Sequence, residues 1–218
     1  MIGLLVFDLD GTLVASHRDI ANAANALVEE LGGARLSDAA IVAMVGEGAA
    51  LLVRRALAAA GIDPATPGAL ERFLTLYDAR LLEHTRPYDG TIDALRALGP
   101  QAPMSVLTNK PQRPSERILG ELQLRRYFGA VIGGDTVYGR KPDPAGLLHL
   151  AQAAGVPAER TLMVGDSPVD LQTARNAGAQ ICLVRYGFGY RFAPEDFRGD
   201  ERFADSPADL LKAFGPRQ

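Results

Sequence analysis

Residues 2–12 read IGLLVFDLDGT, an unbroken apolar run that ends in two aspartates and a turn. A run without alternating polar residues is typical of a strand buried on both faces, as in a parallel sheet. Similar short apolar runs recur later in the chain, at residues 104–107, 130–132, 161–164 and 180–184. Polar residues follow them, so the chain predicts several buried strands with polar ends.

Helical patterns alternate with these runs, at residues 91–98, 115–122, 144–154 and 168–177. Asp143-Pro144 and Ser167-Pro168 each resemble an N-cap followed by proline at the first helical position. Strands that alternate with helices predict an α/β fold. We therefore expect a Rossmann-like core, in which a parallel sheet carries helices on both faces.

The segment from Ser16 to His84 departs from this alternation, because it contains helical patterns and no strand pattern. The helices are predicted at residues 20–31, 38–45, 49–60 and 69–83. An all-helical block between the first and second strands predicts an inserted cap domain. We expect residues 16–85 to form this cap, and residues 1–15 and 86–218 to form the core.

The composition excludes several classes of protein. The chain has 218 residues, a net charge of −3 and one cysteine, Cys182, so an intrachain disulfide is impossible. A lone cysteine in an apolar strand is usually a core residue. There is no excess of Lys and Arg for a nucleic-acid surface, and no stretch long enough for a signal sequence or membrane span. We expect a soluble, cytoplasmic monomer or homodimer without a nucleic-acid or membrane partner.

The polar ends of the predicted strands should meet, because sites in open parallel sheets form at the carboxyl ends of strands. They bring together Asp8, Asp10, Thr108, Asn109, Asp166 and Asp170, and a loop adds Lys141. Two carboxylates ~4 Å apart repel each other by about 4 kcal/mol at an effective dielectric constant of about 20. One lysine cannot balance four such acids. Hard carboxylate oxygens favour Mg²⁺, which also bridges to phosphate groups.

The same residues suit attack on a phosphate ester. Asp8 can act as a nucleophile on phosphorus. Asp10, two residues later on an extended chain, points to the same side, where it can protonate the leaving group and then activate water. Lys141 can neutralise the charge on nucleophile and phosphoryl group, while Thr108 and backbone amides near Asn109 can hold phosphoryl oxygens.

Four segments of the chain resemble the sequence motifs of the haloacid dehalogenase superfamily. Residues 8–12 resemble its motif one, and residues 108–109 its motif two. Lys141 within residues 139–144 resembles motif three, and residues 165–170 resemble motif four. Each motif alone is weak, but all four occur in order, with a helical cap in the position of the first cap class. The resemblance covers essentially the whole chain.

Within that superfamily the chain is most similar to the phosphoglycolate phosphatases. The segments that carry this likeness are residues 45–50, 84–88, 108–111, 132–135 and 186–190. The resemblance implies a Mg²⁺-dependent phosphatase that acts on a small phosphate monoester, 2-phosphoglycolate, through an aspartyl-phosphate intermediate. It also implies that Asp8, Asp166 and the backbone carbonyl of Asp10 ligate Mg²⁺, with Asp170 supporting the metal directly or through water.

The loop of Gly46, Glu47 and Gly48 is the predicted contact of the cap with the leaving group, because its glycines allow close approach. Glu47 is unexpected there if the substrate is itself a carboxylate. Two further departures lie near the entrance to the cap. Ala15 stands where relatives often carry an acid, and His17-Arg18 stands where they often carry a small residue or proline.

Other functions remain open on the sequence alone. A sugar-phosphate or pyrophosphate phosphatase would use the same core motifs with different cap contacts. Phosphoryl transfer within a sugar phosphate, as in related phosphoglucomutases, is a further alternative, although Thr12 favours hydrolysis. A dehalogenase would not need Asp10, and a catalytically silent binding module would usually have lost the nucleophile or the metal-binding acid.

Overall fold

The structure is a computed structural model and describes residues 1–214. The strands in that range are β1 (Leu4–Phe7), β2 (Val14–Ala15), β3 (Arg86–Pro87), β4 (Met104–Leu107), β5 (Ala130–Ile132), β6 (Thr161–Gly165), β7 (Gln180–Val184) and β8 (Arg202–Ala204). The α-helices there are α1 (His17–Glu30), α2 (Asp38–Val42), α3 (Ala49–Ala59), α4 (Ala69–Arg80), α5 (Thr91–Leu98), α6 (Gln112–Glu121), α7 (Ala145–Ala153), α8 (Pro168–Ala177) and α9 (Leu210–Phe214). Short 3₁₀ turns lie at Arg125–Tyr127, Ala158–Arg160, Pro194–Asp196 and Pro207–Asp209.

The main sheet has six parallel strands in the order β5-β4-β1-β6-β7-β8. The chain first builds to one side of β1 and then to the other, so the strand order reverses beside β1. This is the doubly wound arrangement in which ligands bind at the carboxyl ends of the strands. The predicted parallel-sheet fold is therefore confirmed, although β8 was not predicted because its three residues form no apolar run.

Strand β1 shows why the first apolar run is unbroken. Leu5 and Phe7 lie in the core that includes residues of α5 and α6, whereas Leu4 and Val6 lie in the core that includes residues of α7 and α8. Both faces of the strand are buried, so neither tolerates a polar residue. Cys182 is fully buried in the first of these cores, and burial raises the pKa of its thiol to about 12.

The described residues 16–84 contain helices α1–α4 and no strand, as predicted. α1 packs against the other three helices, with α4 as its largest partner. Several helix bounds differ from the prediction. α1 and α6 each begin three residues earlier, and α6 can do so because Pro114 is tolerated in a first helical turn. Both α2 and α4 end three residues early, and the remaining differences, in α1, α3, α6 and α7, are of one residue at an end. No helix within residues 1–214 combines the length and apolar character needed to cross a membrane.

The two linkers between the helical segment and the sheet pair with each other, because β2 and β3 run antiparallel. Beside them, the buried carboxylate of Asp19 accepts hydrogen bonds from the backbone N–H groups of His84 at 3.0 Å and Thr85 at 2.8 Å, and from the Thr85 hydroxyl at 2.7 Å. Burial acts to raise the pKa of Asp19, but these hydrogen bonds lower it below its ordinary value. These hydrogen bonds connect the start of α1 to the linker around residues 84–85, which leads back to the sheet. The division into a core and a cap domain stays a prediction.

Candidate active site

Strand ends position most of the predicted site residues. Asp8 follows β1, Thr108 follows β4 and Asp166 follows β6 directly, so all three lie at the carboxyl edge of the sheet. Lys141 lies in the loop between β5 and α7. Asp170 lies in the first turn of α8. The structure therefore brings these five residues to one edge, where the strand order reverses.

Lys141 lies between two carboxylates. Its Nζ atom is 2.8 Å from Asp8 Oδ1 and donates a hydrogen bond of 2.6 Å to Asp170 Oδ1. The other oxygen of Asp170 accepts hydrogen bonds from the backbone N–H and the hydroxyl of Ser167, at 3.1 and 2.6 Å. Ser167 also caps α8, with Pro168 at the first position. The helix start therefore fixes Asp170, and Asp170 fixes the lysine beside the predicted nucleophile.

Three carboxylates form a buried cluster. Asp8, Asp166 and Asp170 each offer an oxygen within 4.8 Å of the others. Burial raises the pKa of Asp8 to about 6 against the lowering influence of Lys141, and the neighbouring Asp170 adds to the rise. Burial raises the pKa of Asp166 well above its ordinary value, and the charges of Asp170 and Asp8 raise it further. Additional positive charge at this cluster would favour the ionised forms of Asp8 and Asp166.

Asp10 has a separate partner that the sequence analysis missed. Lys110 Nζ donates to Asp10 Oδ1 at 3.0 Å and to Oδ2 at 2.9 Å, and the Ser16 hydroxyl also donates to Oδ1. The side chain of Lys110 is only 4% exposed and that of Asp10 is 13% exposed. The only available signal was that Lys110 directly follows the motif-two residues.

Lys110 corrects the count of charges. One lysine was predicted beside four acids, but two lysines, Lys110 and Lys141, lie beside them. Within the three-acid cluster, three negative charges less the one positive charge of Lys141 leave two, which is the charge of one divalent cation. The oxygen donors and the residual charge thus fit Mg²⁺. The carboxylate of Asp10 is not part of the three-acid cluster, so its metal contact through the backbone carbonyl stays a prediction.

Glycines enclose Asp166. The backbone N–H of Gly189 donates to Asp166 Oδ2 at 2.7 Å. A Cβ atom on Gly187 would lie 2.2 Å from the Cβ of Asp166, and one on Gly11 would lie 1.9 Å from its Oδ2. Gly11 also has a φ of +86°, which favours glycine. Only glycine therefore allows these two loops to approach the acid, a role that the sequence analysis did not assign to Gly187 and Gly189.

Thr108 and Asn109 have different environments. Thr108 Oγ1 accepts a hydrogen bond of 3.2 Å from the Lys110 backbone N–H, which leaves its own hydroxyl hydrogen free to donate. The side-chain amide of Asn109 donates to the carbonyls of Gly46 at 2.9 Å and Lys141 at 3.0 Å. Thr108 can therefore hold a phosphoryl oxygen, whereas the Asn109 amide connects three loops.

A cavity of about 660 Å³, including its open mouth, lies between these strand ends and the helical segment. It is lined by Asp8, Asp10, Ile20, Val45, Gly46, Gly48, Ala49, Phe73, Leu74, Tyr77, Thr108, Asn109, Lys110, Pro111, Asp166, Ser167, Phe188 and Gly189. Gly46 lines it as predicted. Glu47 does not, because its exposed carboxylate forms an ion pair of 2.7 Å with Arg55 of α3. The structure therefore gives no support to the predicted contact of Glu47 with the leaving group.

Comparison with known proteins gave consistent matches. The family model described as haloacid dehalogenase-like hydrolase matches residues 5–184. A phosphoglycolate phosphatase of Rhodospirillum rubrum is 43% identical over 192 residues, covering 84% of this chain and 80% of the relative. One from Pseudomonas syringae pv. tomato is 42% identical over 193 residues, covering 86% of this chain and 71% of the relative. The crystal structure of a predicted phosphoglycolate phosphatase from Haemophilus somnus superposes with a TM-score of 0.88 at 29% identity, covering 98% of both chains.

Proposed function

The chain belongs to the haloacid dehalogenase-like hydrolase family, and we propose that it hydrolyses 2-phosphoglycolate with Mg²⁺ through an aspartyl phosphate on Asp8. It is a phosphoric monoester hydrolase, as are the relatives named phosphoglycolate phosphatase. The observation that carries the mechanism is the ion pair between Asp8 and Lys141. It places a buried carboxylate beside one fixed cation at the edge of the sheet. A cytoplasmic location and a monomeric or dimeric state stay predictions.

In the first step, an oxygen of Asp8 attacks phosphorus and the bond from phosphorus to the ester oxygen breaks. Asp10 donates a proton to that oxygen, so the leaving group departs as an alcohol. Lys141 and the Thr108 hydroxyl stabilise the negative charge on the phosphoryl group. In the second step, Asp10 takes a proton from water and the water oxygen attacks phosphorus. The bond from phosphorus to the Asp8 oxygen breaks, which releases inorganic phosphate and restores the Asp8 carboxylate and the protonated Asp10.

Asp8 and Asp166 would hold Mg²⁺, with the backbone carbonyl of Asp10. When bound, Mg²⁺ supplies positive charge that polarises the phosphoryl oxygens and offsets the repulsion among the acids. Both oxygens of Asp170 already have partners in Lys141 and Ser167, which favours its contact with the metal through water. Asp170 would then act mainly by holding Lys141 in place.

The substrate is tested by measuring Mg²⁺-dependent release of phosphate from 2-phosphoglycolate, sugar phosphates, nucleotides and pyrophosphate. We expect the highest kcat/KM with 2-phosphoglycolate, loss of activity with a chelator and recovery with Mg²⁺. A higher kcat/KM with a sugar phosphate or pyrophosphate would assign the enzyme to those substrates instead.

The nucleophile is tested with Asp8→Asn, which keeps the size of the side chain and removes its charge. Turnover should fall by at least about 10³-fold, because the neutral amide does not attack phosphorus. Asp93→Asn, an exposed aspartate on α5, is the matched control and should keep full activity. Near-normal turnover by Asp8→Asn would exclude the covalent mechanism.

A further inference from the structure

The cavity offers one basic side chain to a bound molecule. Among the described residues that line it, Lys110 is the only lysine, arginine or histidine. Burial acts to lower the pKa of this ammonium, but the Asp10 carboxylate raises it above its ordinary value. Its Nζ atom lies 3.0 and 2.9 Å from the two carboxylate oxygens of Asp10, so the ammonium lies at the wall of the cavity beside the predicted general acid.

Two further charged residues near the cavity, Lys141 and Glu47, already have partners. Lys141 contacts Asp8 at 2.8 Å and Asp170 at 2.6 Å, so it serves the nucleophile and the acid cluster. Glu47, which would oppose an anionic leaving group, does not line the cavity, and its charge is paired with Arg55. An anionic leaving group thus meets Lys110 without a competing carboxylate from the loop before α3.

A second polar group lies beside Lys110. The ammonium is 4.6 Å from the centre of the Tyr77 ring, on α4 of the helical segment. The Tyr77 hydroxyl is buried and interacts with the Lys110 ammonium, which can only donate to it, so its own hydrogen has no hydrogen-bond acceptor within the described residues. A buried hydroxyl hydrogen without an acceptor is unfavourable, so a bound acceptor would stabilise it. The neighbouring lining residues Phe73 and Leu74 are apolar and cannot supply that acceptor.

We propose that Lys110 and the Tyr77 hydroxyl bind the carboxylate of the leaving group, and that Lys110 shares its ammonium between this carboxylate and Asp10. This inference rests on the proposed function. It makes Lys110 and Tyr77 specificity residues for esters of small hydroxy acids, one from the core and one from the helical segment.

The distances between Lys110 and Asp10 fit a leaving group that is a two-carbon hydroxy acid. Lys110 Nζ is 2.9 Å from Asp10, which must contact the ester oxygen to protonate it. Hydrogen bonds of about 3 Å on either side of the Asp10 carboxylate would place the ammonium within roughly 6 Å of that oxygen. In glycolate the carboxylate is separated from the ester oxygen by one methylene group, so the same ammonium can reach it.

The arrangement also links recognition to proton transfer. When Asp10 gives its proton to the ester oxygen, the leaving group becomes a neutral hydroxyl and Asp10 becomes an anion. Lys110 then stabilises that anion until Asp10 takes a proton from water in the second step. A substrate without a carboxylate offers no negative charge to Lys110 and the Tyr77 hydroxyl during either step.

The experiment compares two matched esters, 2-phosphoglycolate and 2-hydroxyethyl phosphate, which differ by a carboxylate in place of a hydroxymethyl group. The readout is the ratio of their kcat/KM values, because Lys110 also holds Asp10 and its loss lowers both rates. In Lys110→Met we expect the ratio to fall by at least about tenfold, with the KM for 2-phosphoglycolate raised. Lys212→Met, an exposed lysine on α9, is the matched control and should keep the ratio.

Tyr77→Phe keeps the ring beside the ammonium and removes only the hydroxyl, so it tests the inference even if Lys110→Met does not fold. The ratio should fall by about fivefold, and inhibition of p-nitrophenyl phosphate hydrolysis by glycolate should weaken to a similar degree. An unchanged ratio in a folded Lys110→Met, or in Tyr77→Phe, would overturn the inference while leaving the phosphatase intact. Absence of 2-phosphoglycolate hydrolysis by the wild type would instead overturn the proposed substrate.

Discussion

The side-chain amide of Asn109 donates hydrogen bonds to Gly46 in the loop before α3 and to Lys141 in the loop before α7. One side chain thus connects the helical segment, the end of β4 and the loop of the predicted catalytic lysine. Two further contacts join the helical segment to α6 and to the loop after β7. Arg117 pairs with Asp78 at 3.0 Å, and Arg191 donates to the carbonyl of Ala43 at 2.8 Å.

Asn109→Ala should therefore impair catalysis more than stability. Loss of two hydrogen bonds frees both loops, and we expect kcat/KM to fall by about tenfold or more, with a change of roughly 1 kcal/mol in the free energy of unfolding. Asn22→Ala on α1 is the control, because Asn22 accepts a single bond of 3.3 Å from Arg35. Steady-state kinetics and urea unfolding check both quantities. Equal activity of the two variants would contradict this role.

Gly187→Ala should disturb Asp166, because the new Cβ atom would lie 2.2 Å from the Cβ of Asp166 and 2.5 Å from the carbonyl oxygen of Gly11. We expect a destabilisation of about 1–3 kcal/mol and a higher Mg²⁺ concentration for half-maximal activity. Gly120→Ala is the control, since its Cβ would meet no atom within 4 Å. In helix α6 that change should stabilise the protein by about 0.5–1 kcal/mol. Similar effects of the two substitutions would show that the loop around Gly187 can move to accommodate a Cβ atom without disturbing Asp166.

The parts of the fold that follow from local pattern could be predicted from the sequence. The first apolar run predicted β1 because both of its faces are buried, and the aspartates after it marked the carboxyl edge of the sheet. Lys110 could not be found in this way, since a lysine in a loop usually lies in solvent. Its partner Asp10 is 100 residues away, and its other neighbour Tyr77 belongs to the helical segment.

The same limit applies to Glu47 and to the glycines around Asp166. Adjacent glycines in the sequence suggested that Glu47 contacts a substrate, but its carboxylate pairs with Arg55, which lies on the following helix. Gly187 and Gly189 approach Asp166 only because β6 and β7 are neighbours in the sheet. These contacts depend on tertiary packing, which local sequence patterns do not encode.

Asp19→Asn should loosen the junction between α1 and the returning linker. Both oxygens of Asp19 accept hydrogen bonds, so either orientation of an asparagine amide would place an N–H group against another donor. We expect a loss of about 2 kcal/mol in the free energy of unfolding. Asp89→Asn, an exposed aspartate on the same linker, should leave stability unchanged. Equal stability of the two variants in urea unfolding would show that Asp19 does not fasten the junction.

Glu201 provides a test of stability against pH, away from the acid cluster. Its side chain is 1% exposed and pairs with Arg175 of α8 at 2.7 Å. Its carboxylate also accepts hydrogen bonds from the backbone N–H groups of Arg198 and Gly199, at 3.0 Å each. Burial acts to raise the pKa of Glu201, but these hydrogen bonds and the guanidinium lower it from 4.5 to about 2.

Because the pKa is lower in the folded state, the charged carboxylate stabilises the fold above pH 4.5, and this stability is lost as the pH falls towards 2. The shift corresponds to about 3 kcal/mol at neutral pH. Glu201→Gln should therefore be less stable than the wild type by roughly that amount at pH 7, and the difference should shrink steadily between pH 5 and pH 3. Urea unfolding across this range measures it, with Glu195→Gln, an exposed residue of the same loop, as the control. If the difference between Glu201→Gln and the wild type stays constant over this range, the ionised carboxylate is not the source of the stability.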